Sequence, residues 1–314
     1  MSDTTQRRMG VFDRTKDLTE LGTPSVTLNN GVRMPRLGLG VYRCAPGQET
    51  EQTVSFAVEN GYRLIDTARL YANEKDVGRA LRASGIPRDQ AFITTKLWKT
   101  DHGYDSTLRA FDASLQDLGM DYVDLYLIHW PLRISKPYRL KALRRILAFV
   151  NWPPASVRLQ TWKAMERLLA DGKCRAIGVS NYTVHHLQEL MSVSGVVPAV
   201  NQVEFTPFCF QRELLQFCRD HRIQLEAYRP LTAGQRLGHP SLVRLAAKYN
   251  RSPAQVLIRW GIQHDLVVIP KASNSNHIRE NATVFDFSIA DEDMEAMNAW
   301  NENLRLCWDP TGLP

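Results

Sequence analysis

Eight short apolar runs constrain the fold of this chain more than any other feature of its sequence. They span residues 37–42, 63–68, 92–97, 122–129, 176–181, 200–205, 224–228 and 266–270. Segments with helical periodicity separate them; between residues 105 and 118, for example, Leu108, Phe111 and Leu115 fall on one helical stripe. Strands that alternate with helices favour parallel pairing through helical crossovers. Eight such units predict an α/β fold of the (β/α)8 TIM-barrel type.

Local signals refine this architecture. Asn30 and Gly31 lie between alternating apolar residues, which predicts an N-terminal β-hairpin ahead of the barrel. Ser252 followed by Pro253 indicates a helix start. The alternative is a doubly wound open sheet, which would need a G-x-G-x-x-G fingerprint after the first run. The glycine pair at residues 38–40 is too short for that fingerprint, so the barrel is the favoured interpretation.

Composition predicts the domain boundaries of the chain and its cellular location. Residues 1–24 are polar and mixed in charge, which indicates an N-terminal extension, and residues 25–314 form one predicted barrel domain. The extension lacks the apolar stretch of a signal peptide. The sequence contains no run of about 18 apolar residues, so we expect no membrane span. The five cysteines are scattered without C-x-x-C spacing, which favours reduced thiols and a cytoplasmic location.

Positive charge is concentrated in one segment. The formal net charge is +6, and residues 125–165 contain eight Lys and Arg but no Asp or Glu. This uneven distribution, without a recognised motif, argues against a general nucleic-acid-binding protein. Residues 131–159 predict a long basic insertion after strand 4, and Leu140, Leu143 and Leu147 indicate a short amphipathic helix in it. Three roles stay open for the insertion: favouring an anionic substrate, forming a solvated rim, or attaching weakly to anionic lipid.

Four polar residues, Asp66, Tyr71, Lys96 and His129, stand at or just past the ends of the second, third and fourth runs. In a parallel barrel the carboxyl ends of all strands meet at one mouth, which is where such barrels carry their chemistry. We therefore expect the four side chains to converge.

Together the four groups suit hydride transfer from a nicotinamide to a carbonyl, with Tyr71 as the proton donor. A free phenol has a pKa of about 10, too high for an efficient acid at neutral pH. An ammonium about 4 Å away contributes roughly 4 kcal/mol at an effective dielectric constant near 20, so Lys96 is predicted to lower the pKa of Tyr71. Asp66 would anchor the ammonium, and His129 would donate a hydrogen bond to the carbonyl oxygen as negative charge grows there.

Four stretches of the sequence resemble the aldo-keto reductase family: residues 61–74, 124–131, 176–181 and 268–271. The resemblance extends from about residue 25 to residue 314. It implies a (β/α)8 barrel that reduces small aldehydes or ketones, and it maps the catalytic tetrad of that family onto Asp66, Tyr71, Lys96 and His129. The implied cofactor is NADP(H), with NAD(H) as the alternative.

The resemblance also implies a cofactor site. It assigns contacts to Gly40, Val41, Tyr42, Ser180, Asn181, Gln202, Tyr228, Arg229, Leu231, Lys271, Ser273, Asn274, His277, Glu280 and Asn281. Of these, Ser180, Asn181 and Gln202 would hold the nicotinamide carboxamide, and Tyr228 would stack on the nicotinamide ring.

Several positions depart from the family pattern, and three of them bear on the phosphates of the cofactor. Ala272 and His277 replace a Ser and an Arg that contact the 2′-phosphate of NADPH in the family. Arginine grips a phosphate with two N–H groups, whereas histidine is largely neutral at pH 7, so we expect a weakened preference for NADPH and usable NADH. Arg279 is the alternative phosphate ligand. Arg229 replaces a small residue beside the pyrophosphate. We expect it to contact phosphate, and the alternative is that it alters the loop that closes over the pyrophosphate.

The predicted substrate pocket is aromatic, with Tyr42, Trp98, Trp130 and Trp308 as its walls, and it suits a small carbonyl compound, anionic if the basic insertion overhangs the mouth. We expect the protein to bind no nucleic acid and no metal, and not to insert stably into a membrane. Its oligomeric state, monomer or homodimer, stays open. A non-catalytic nucleotide-binding sensor of the same fold is the chief rival function. A metal-dependent hydrolase would need ligands at several strand ends, and only Asp66 and His129 are available.

Overall fold

The computed structural model describes residues 24–132 and 155–311, and in them the chain forms a barrel of eight parallel strands. Two short antiparallel strands come first, β1 (Ser25–Thr27) and β2 (Arg33–Pro35). The barrel strands are β3 (Gly38–Gly40), β4 (Leu64–Asp66), β5 (Phe92–Leu97), β6 (Val123–Ile128), β7 (Cys174–Ser180), β8 (Val200–Glu204), β9 (Gln224–Tyr228) and β10 (Val267–Ile269). The predicted hairpin and barrel are both confirmed.

Helices follow the strands in the expected alternation. The described helices are α1 (Gln48–Glu59), α2 (Glu74–Ala83), α3 (Tyr104–Leu118), α4 (Ala155–Ala170), α5 (Val184–Val193), α6 (Arg212–Asp220), α7 (Pro240–Tyr249), α8 (Pro253–Gln263), α9 (Ser275–Ala282) and α10 (Asp291–Asn298). Ser252 caps α8 in a capping box, as its sequence predicts. Most of the predicted insertion, residues 133–154, lies outside the described residues, as does the extension up to residue 23.

Strands pair in chain order from β3 to β10, and each pair is parallel. The seam between the first and last strands closes through a parallel bridge between Leu37 and Val268. The amide of Gly40 also donates to the carbonyl of Pro270 at 3.1 Å. The strand ends that carry the polar residues therefore face one mouth of a closed barrel.

The opposite end of the barrel is filled by apolar side chains. Leu28, Val32 and Met34 of the hairpin segment pack against Leu64 and Phe92, which lie at the starts of β4 and β5. All five are buried. The hairpin thus covers the amino ends of the strands, and the carboxyl ends are left for ligands.

All five cysteines are free thiols. No helix in the described part of the chain is long and apolar enough to cross a membrane.

Candidate active site

Lys96 lies at the centre of a buried polar cluster at the carboxyl end of the strands. Its ammonium donates to Asp66 Oδ1 at 2.6 Å, to the carbonyl of Thr67 at 2.9 Å and to the hydroxyl of Tyr71 at 3.2 Å. Three acceptors match the three N–H groups of an ammonium. The lysine side chain is fully buried, and Asp66 is nearly so. The ion pair is consequently held without solvent and directs one N–H at the phenol.

Tyr71 and His129 complete the predicted tetrad. Tyr71 ends a short 3-10 turn, Arg69–Tyr71, that follows β4, and Ala72 reverses the chain there with φ 57°. His129 directly follows β6 and is buried. The two rings meet edge to face with their centroids 5.7 Å apart. The structure therefore brings all four residues together at the mouth of the barrel.

Burial controls the protonation of these groups. It raises the pKa of Tyr71 well above its usual value, and the Asp66 carboxylate adds to that rise. The predicted lowering of the phenol pKa by Lys96 is therefore wrong for this structure, because burial and the negative charge of Asp66 both act in the opposite direction. Burial also holds the pKa of His129 well below its usual value, helped by the positive charges of Lys96 and Lys99. His129 is accordingly a neutral imidazole at pH 7.

A second group of polar side chains lines the same cavity as Tyr71. Ser180 ends β7 and donates its hydroxyl to the carbonyl of Gln202 at 2.8 Å. Asn181, at φ 64°, donates to the carbonyl of His129 at 2.9 Å and accepts from the hydroxyl of Tyr228 at 2.8 Å. These bonds fix the amides and the ring of Tyr228 relative to the tetrad.

Glu226 also belongs to this cluster, although the sequence analysis did not identify it. The amide nitrogen of Gln202 donates to Asp66 Oδ2 at 2.7 Å and to Glu226 Oε2 at 2.8 Å. Glu226 is fully buried in β9, two residues before Tyr228. The signal was present in the sequence: alternation along a strand places an acid at position 226 on the same face as position 228. Asp66, Gln202 and Glu226 form one hydrogen-bonded chain.

The polar cluster opens into a cavity of about 310 Å³. The four predicted pocket residues, Tyr42, Trp98, Trp130 and Trp308, all line it. The indoles of Trp130 and Trp308 pack with their centroids 5.3 Å apart. The lining also includes Gly40, Tyr228, Arg229, Ile269 and Lys271. The cavity therefore combines aromatic side chains with positive charge beside the tetrad.

Similarity to known proteins agrees with this geometry. Residues 36–302 match the Aldo/keto reductase family. The chain belongs to this family. It is 45% identical over 289 residues to a glyoxal reductase of Bacillus subtilis, covering 92% of this chain and 97% of that protein. It is 46% identical over 288 residues to a 9,11-endoperoxide prostaglandin H2 reductase of Trypanosoma cruzi, covering 91% and 94%.

Solved structures of aldo-keto reductases match the fold closely. An aldo-keto reductase of Bombyx mori in complex with NADP is 35% identical and has a TM-score of 0.82, with 92% of this chain and 96% of that chain covered. An enzyme from a deep-sea metagenome is 40% identical with a TM-score of 0.83, covering 93% and 100%. This chain is therefore an oxidoreductase of a family that uses NADP(H) and reduces carbonyl compounds.

The residues of this aldo-keto reductase fit such a cofactor. Amide and hydroxyl groups of Ser180, Asn181 and Gln202 can pair with a carboxamide, and the half-buried ring of Tyr228 lies beside them. Lys271 and Arg229 bring positive charge to the lining of the same cavity. Amides, an aromatic ring and cations in one lining suit a nicotinamide ring joined to an anionic pyrophosphate.

Several predicted cofactor residues lie beyond the cavity lining. Asn274 caps α9 through the amides of Asn276 and His277, and His277 is exposed on the first turn of that helix. Lys271 donates to the hydroxyl of Ser273 at 2.9 Å. The remaining residues of the set are Val41 and Asn281, which are buried, and Leu231 and Glu280, which are half-buried.

Arg229 also makes a contact that the sequence did not predict. Its Nη1 donates to the carbonyl of Leu306 at 2.7 Å, so the arginine holds the C-terminal tail as well as lining the cavity. The carboxylate of Glu204, at the end of β8, accepts from the amides of Leu306 and Cys307 at 2.9 to 3.0 Å. These bonds place Trp308 at the mouth.

Proposed function

We propose that this chain reduces a small aldehyde or ketone to the alcohol, with Tyr71 as general acid. The proposal rests on the hydroxyl of Tyr71, which lies 3.2 Å from the buried ammonium of Lys96 and belongs to a side chain that lines the cavity. When bound, NADPH supplies the hydride; the residues of the chain position the carbonyl and supply the proton.

A phenol with a raised pKa suits this role. It stays protonated at neutral pH, and it gives up its proton only as the carbonyl oxygen becomes an alkoxide, which is more basic than a phenolate. The ammonium of Lys96 then stabilises the phenolate through the contact already formed. His129, neutral and beside the ring of Tyr71, donates a hydrogen bond to the same oxygen, a contribution that grows with the negative charge.

Replacing Tyr71 with Phe tests this assignment. NADPH oxidation with a generic aldehyde should fall by about 10²- to 10⁴-fold, the usual contribution of a general acid. Binding of NADPH, followed by its fluorescence, should persist. Tyr104→Phe is a matched control, since Tyr104 is a partly exposed tyrosine at the start of α3, outside the cavity lining. A wild-type protein that binds NADPH but reduces no carbonyl in a broad panel would favour the sensor alternative.

The cavity lining favours substrates with an apolar or aromatic body, because indole rings form most of its outer wall. An anionic substrate remains a prediction. Most of the basic insertion lies outside the described residues, but Lys99 lines the cavity near His129 and supports the same preference. Matched carbonyls that differ in one carboxylate, compared at low and high salt, would test it, since screening should reduce kcat/KM for the anion alone.

We also propose that the preference for NADPH over NADH is weak. Ala272 offers no hydroxyl, and His277 has replaced the usual arginine. Arg279, the alternative ligand, is directed at α1: its guanidinium packs over Phe56 at 5.5 Å and its Nε lies 3.4 Å from Asn60 Oδ1. Kinetics with both cofactors test this directly. A thousandfold preference for NADPH in the wild type would refute it.

The remaining proposals concern the whole chain. We propose that residues 1–24 are an extension outside a single barrel domain, 25–314, so a truncated variant should keep the kcat of the full chain. Five free thiols support a reducing, cytoplasmic location. Sedimentation would distinguish monomer from homodimer.

A further inference from the structure

Glu226 is an ionisable group inside the barrel that the proposed reaction does not use. It pairs with Gln202 across the parallel β8–β9 ladder, and it neighbours Val267 of β10 on its other side. Its Oε2 accepts from Gln202, while its Oε1 is buried and has no hydrogen-bond partner among the described residues. A buried carboxyl with one unpaired oxygen requires an explanation.

The bonds made by Glu226 determine how the amide of Gln202 is oriented. Only the NH₂ end of an amide can donate, and here both of its hydrogens are used, one toward Asp66 and one toward Glu226. The carbonyl end of Gln202 is therefore the end available to a ligand in the cavity, which Gln202 lines. Without Glu226, only Asp66 would hold the amide, and its position would be less tightly fixed.

We propose that Glu226 is a positioning residue that works in its protonated form, holding Gln202 in place for the cofactor and keeping the buried cluster electrically neutral. The inference rests on the proposed function of the site. With Glu226 protonated, the charge of Lys96 is balanced by that of Asp66. An ionised Glu226 would add a second carboxylate on the same amide, with no further cation in contact among the described residues.

The surroundings of Glu226 favour the protonated form. Burial raises its pKa to about 8, and the negative charge of Asp66 adds to the rise, opposed by the Gln202 hydrogen bond and the charge of Lys96. The groups that face it are Asp66 from β4, Lys96 from β5, Gln202 from β8 and the phenol of Tyr71, while its β10 neighbour is apolar. Its negative charge would also raise the pKa of Tyr71 further.

A Glu226 that works in its protonated form predicts a specific pH dependence of kcat/KM for NADPH. The parameter kcat/KM for NADPH reports on groups of the free enzyme. It should decline above pH of about 8, as Glu226 loses its proton. Tyr71 cannot account for a decline there, because burial holds its pKa well above the usual value.

Three variants test the proposal. Glu226→Gln keeps an acceptor for Gln202 but cannot ionise, so it should keep kcat/KM at pH 7 within about threefold and lose the decline near pH 8. Glu226→Leu removes the acceptor and should lower kcat/KM for NADPH by about tenfold at every pH, the effect of one lost hydrogen bond with a buried group left unpaired. The control, Glu74→Gln, changes another buried carboxyl that accepts from Thr95 at 2.6 Å and does not contact Gln202, so it should keep the wild-type profile.

A readout without turnover separates this proposal from the proposed function. Infrared difference spectra should contain the band of a protonated carboxylic acid that disappears between about pH 7 and 9 and is missing in Glu226→Gln, and the affinity for NADPH should fall over the same range. Turnover retained by Tyr71→Phe, together with the infrared band and the pH-dependent affinity for NADPH, would refute the general-acid role of Tyr71. It would leave the positioning role of Glu226 intact. A decline near pH 8 that persists in Glu226→Gln, or wild-type affinity in Glu226→Leu, would overturn the positioning role.

Discussion

The two ends of the barrel interior are built from the same strands but have opposite character. On β4, Leu64 packs against the hairpin and Asp66, two residues later, joins the ion pair; on β5, Phe92 and Lys96 divide in the same way. Inward-facing positions recur every second residue, so a few residues along a strand separate packing from chemistry. The apolar end gains free energy from burial, about 25 cal/mol per Å². The polar end loses free energy to desolvation and regains it only while every partner is present.

Lys96→Met should have the largest effect of any change that tests this contrast. It removes the counter-charge of Asp66 and the group that stabilises the Tyr71 phenolate, so kcat should fall by at least about 10²-fold. Removing one partner of a buried ion pair should also lower the free energy of unfolding by about 3–5 kcal/mol. Steady-state kinetics and urea unfolding measure the two effects. The exposed Lys75, whose partner is Asp117, supplies the control Lys75→Met, which should change neither by much.

Phe92→Ala tests the other end of the same strand. Loss of a fully packed phenyl ring should lower the free energy of unfolding by about 3–5 kcal/mol. The kcat of the folded enzyme should stay within about twofold, since Phe92 packs at the hairpin end. Val243→Ala, on an exposed face of α7, is expected to cost less than about 0.5 kcal/mol. A large fall in kcat for Phe92→Ala would mean that the two ends are coupled.

Glu226→Gln should alter how stability depends on pH. In the wild type the pKa of Glu226 is raised from its ordinary value near 4.5 to about 8. Between those values the unfolded chain has released this proton and the folded chain has kept it, so wild-type stability declines as pH rises. The glutamine variant lacks this dependence. The unfolding free energy of Glu226→Gln minus that of the wild type should therefore increase with pH, by at most about 1.4 kcal/mol per pH unit over that range. Unfolding curves at several pH values measure it; a constant difference would contradict it.

Trp308→Ala should have the smallest effect on stability and a moderate effect on substrate choice. Trp308 is 43% exposed and packs on Trp130, so the unfolding free energy should change by less than about 1 kcal/mol. The KM for an aromatic aldehyde should rise by about three- to tenfold, whereas that for a very small aldehyde should hardly move. Equal changes for both aldehydes would indicate a disturbed tail and not a lost contact.

The convergence of the side chains at the strand ends could be predicted from the sequence, because the topology of the barrel alone brings those ends together. Once eight parallel strands are inferred, Asp66, Lys96 and His129 must meet, although the strands themselves are shorter than the apolar runs suggested; β3 covers only Gly38–Gly40. Protonation could not be predicted in this way. The pKa of Tyr71 depends on burial and on the nearby charge of Asp66, and both are tertiary properties.

Two further contacts could not be predicted for similar reasons. Strand alternation places Glu226 on the same face as Tyr228, but its hydrogen bond to Gln202 depends on the register of β8 and β9, which the sequence does not give. Arg229 stays a predicted phosphate contact, but its hydrogen-bond partner Leu306 is 77 residues away. Contacts of that separation leave no local pattern in a single sequence.

Because Glu204 and Arg229 hold the tail by its peptide groups, this anchor does not depend on the side chain at position 308. The rim of the pocket can therefore change at that position while the reacting groups beneath it stay in place. Descendants of such an enzyme could acquire new substrates through position 308 long before any strand had to change.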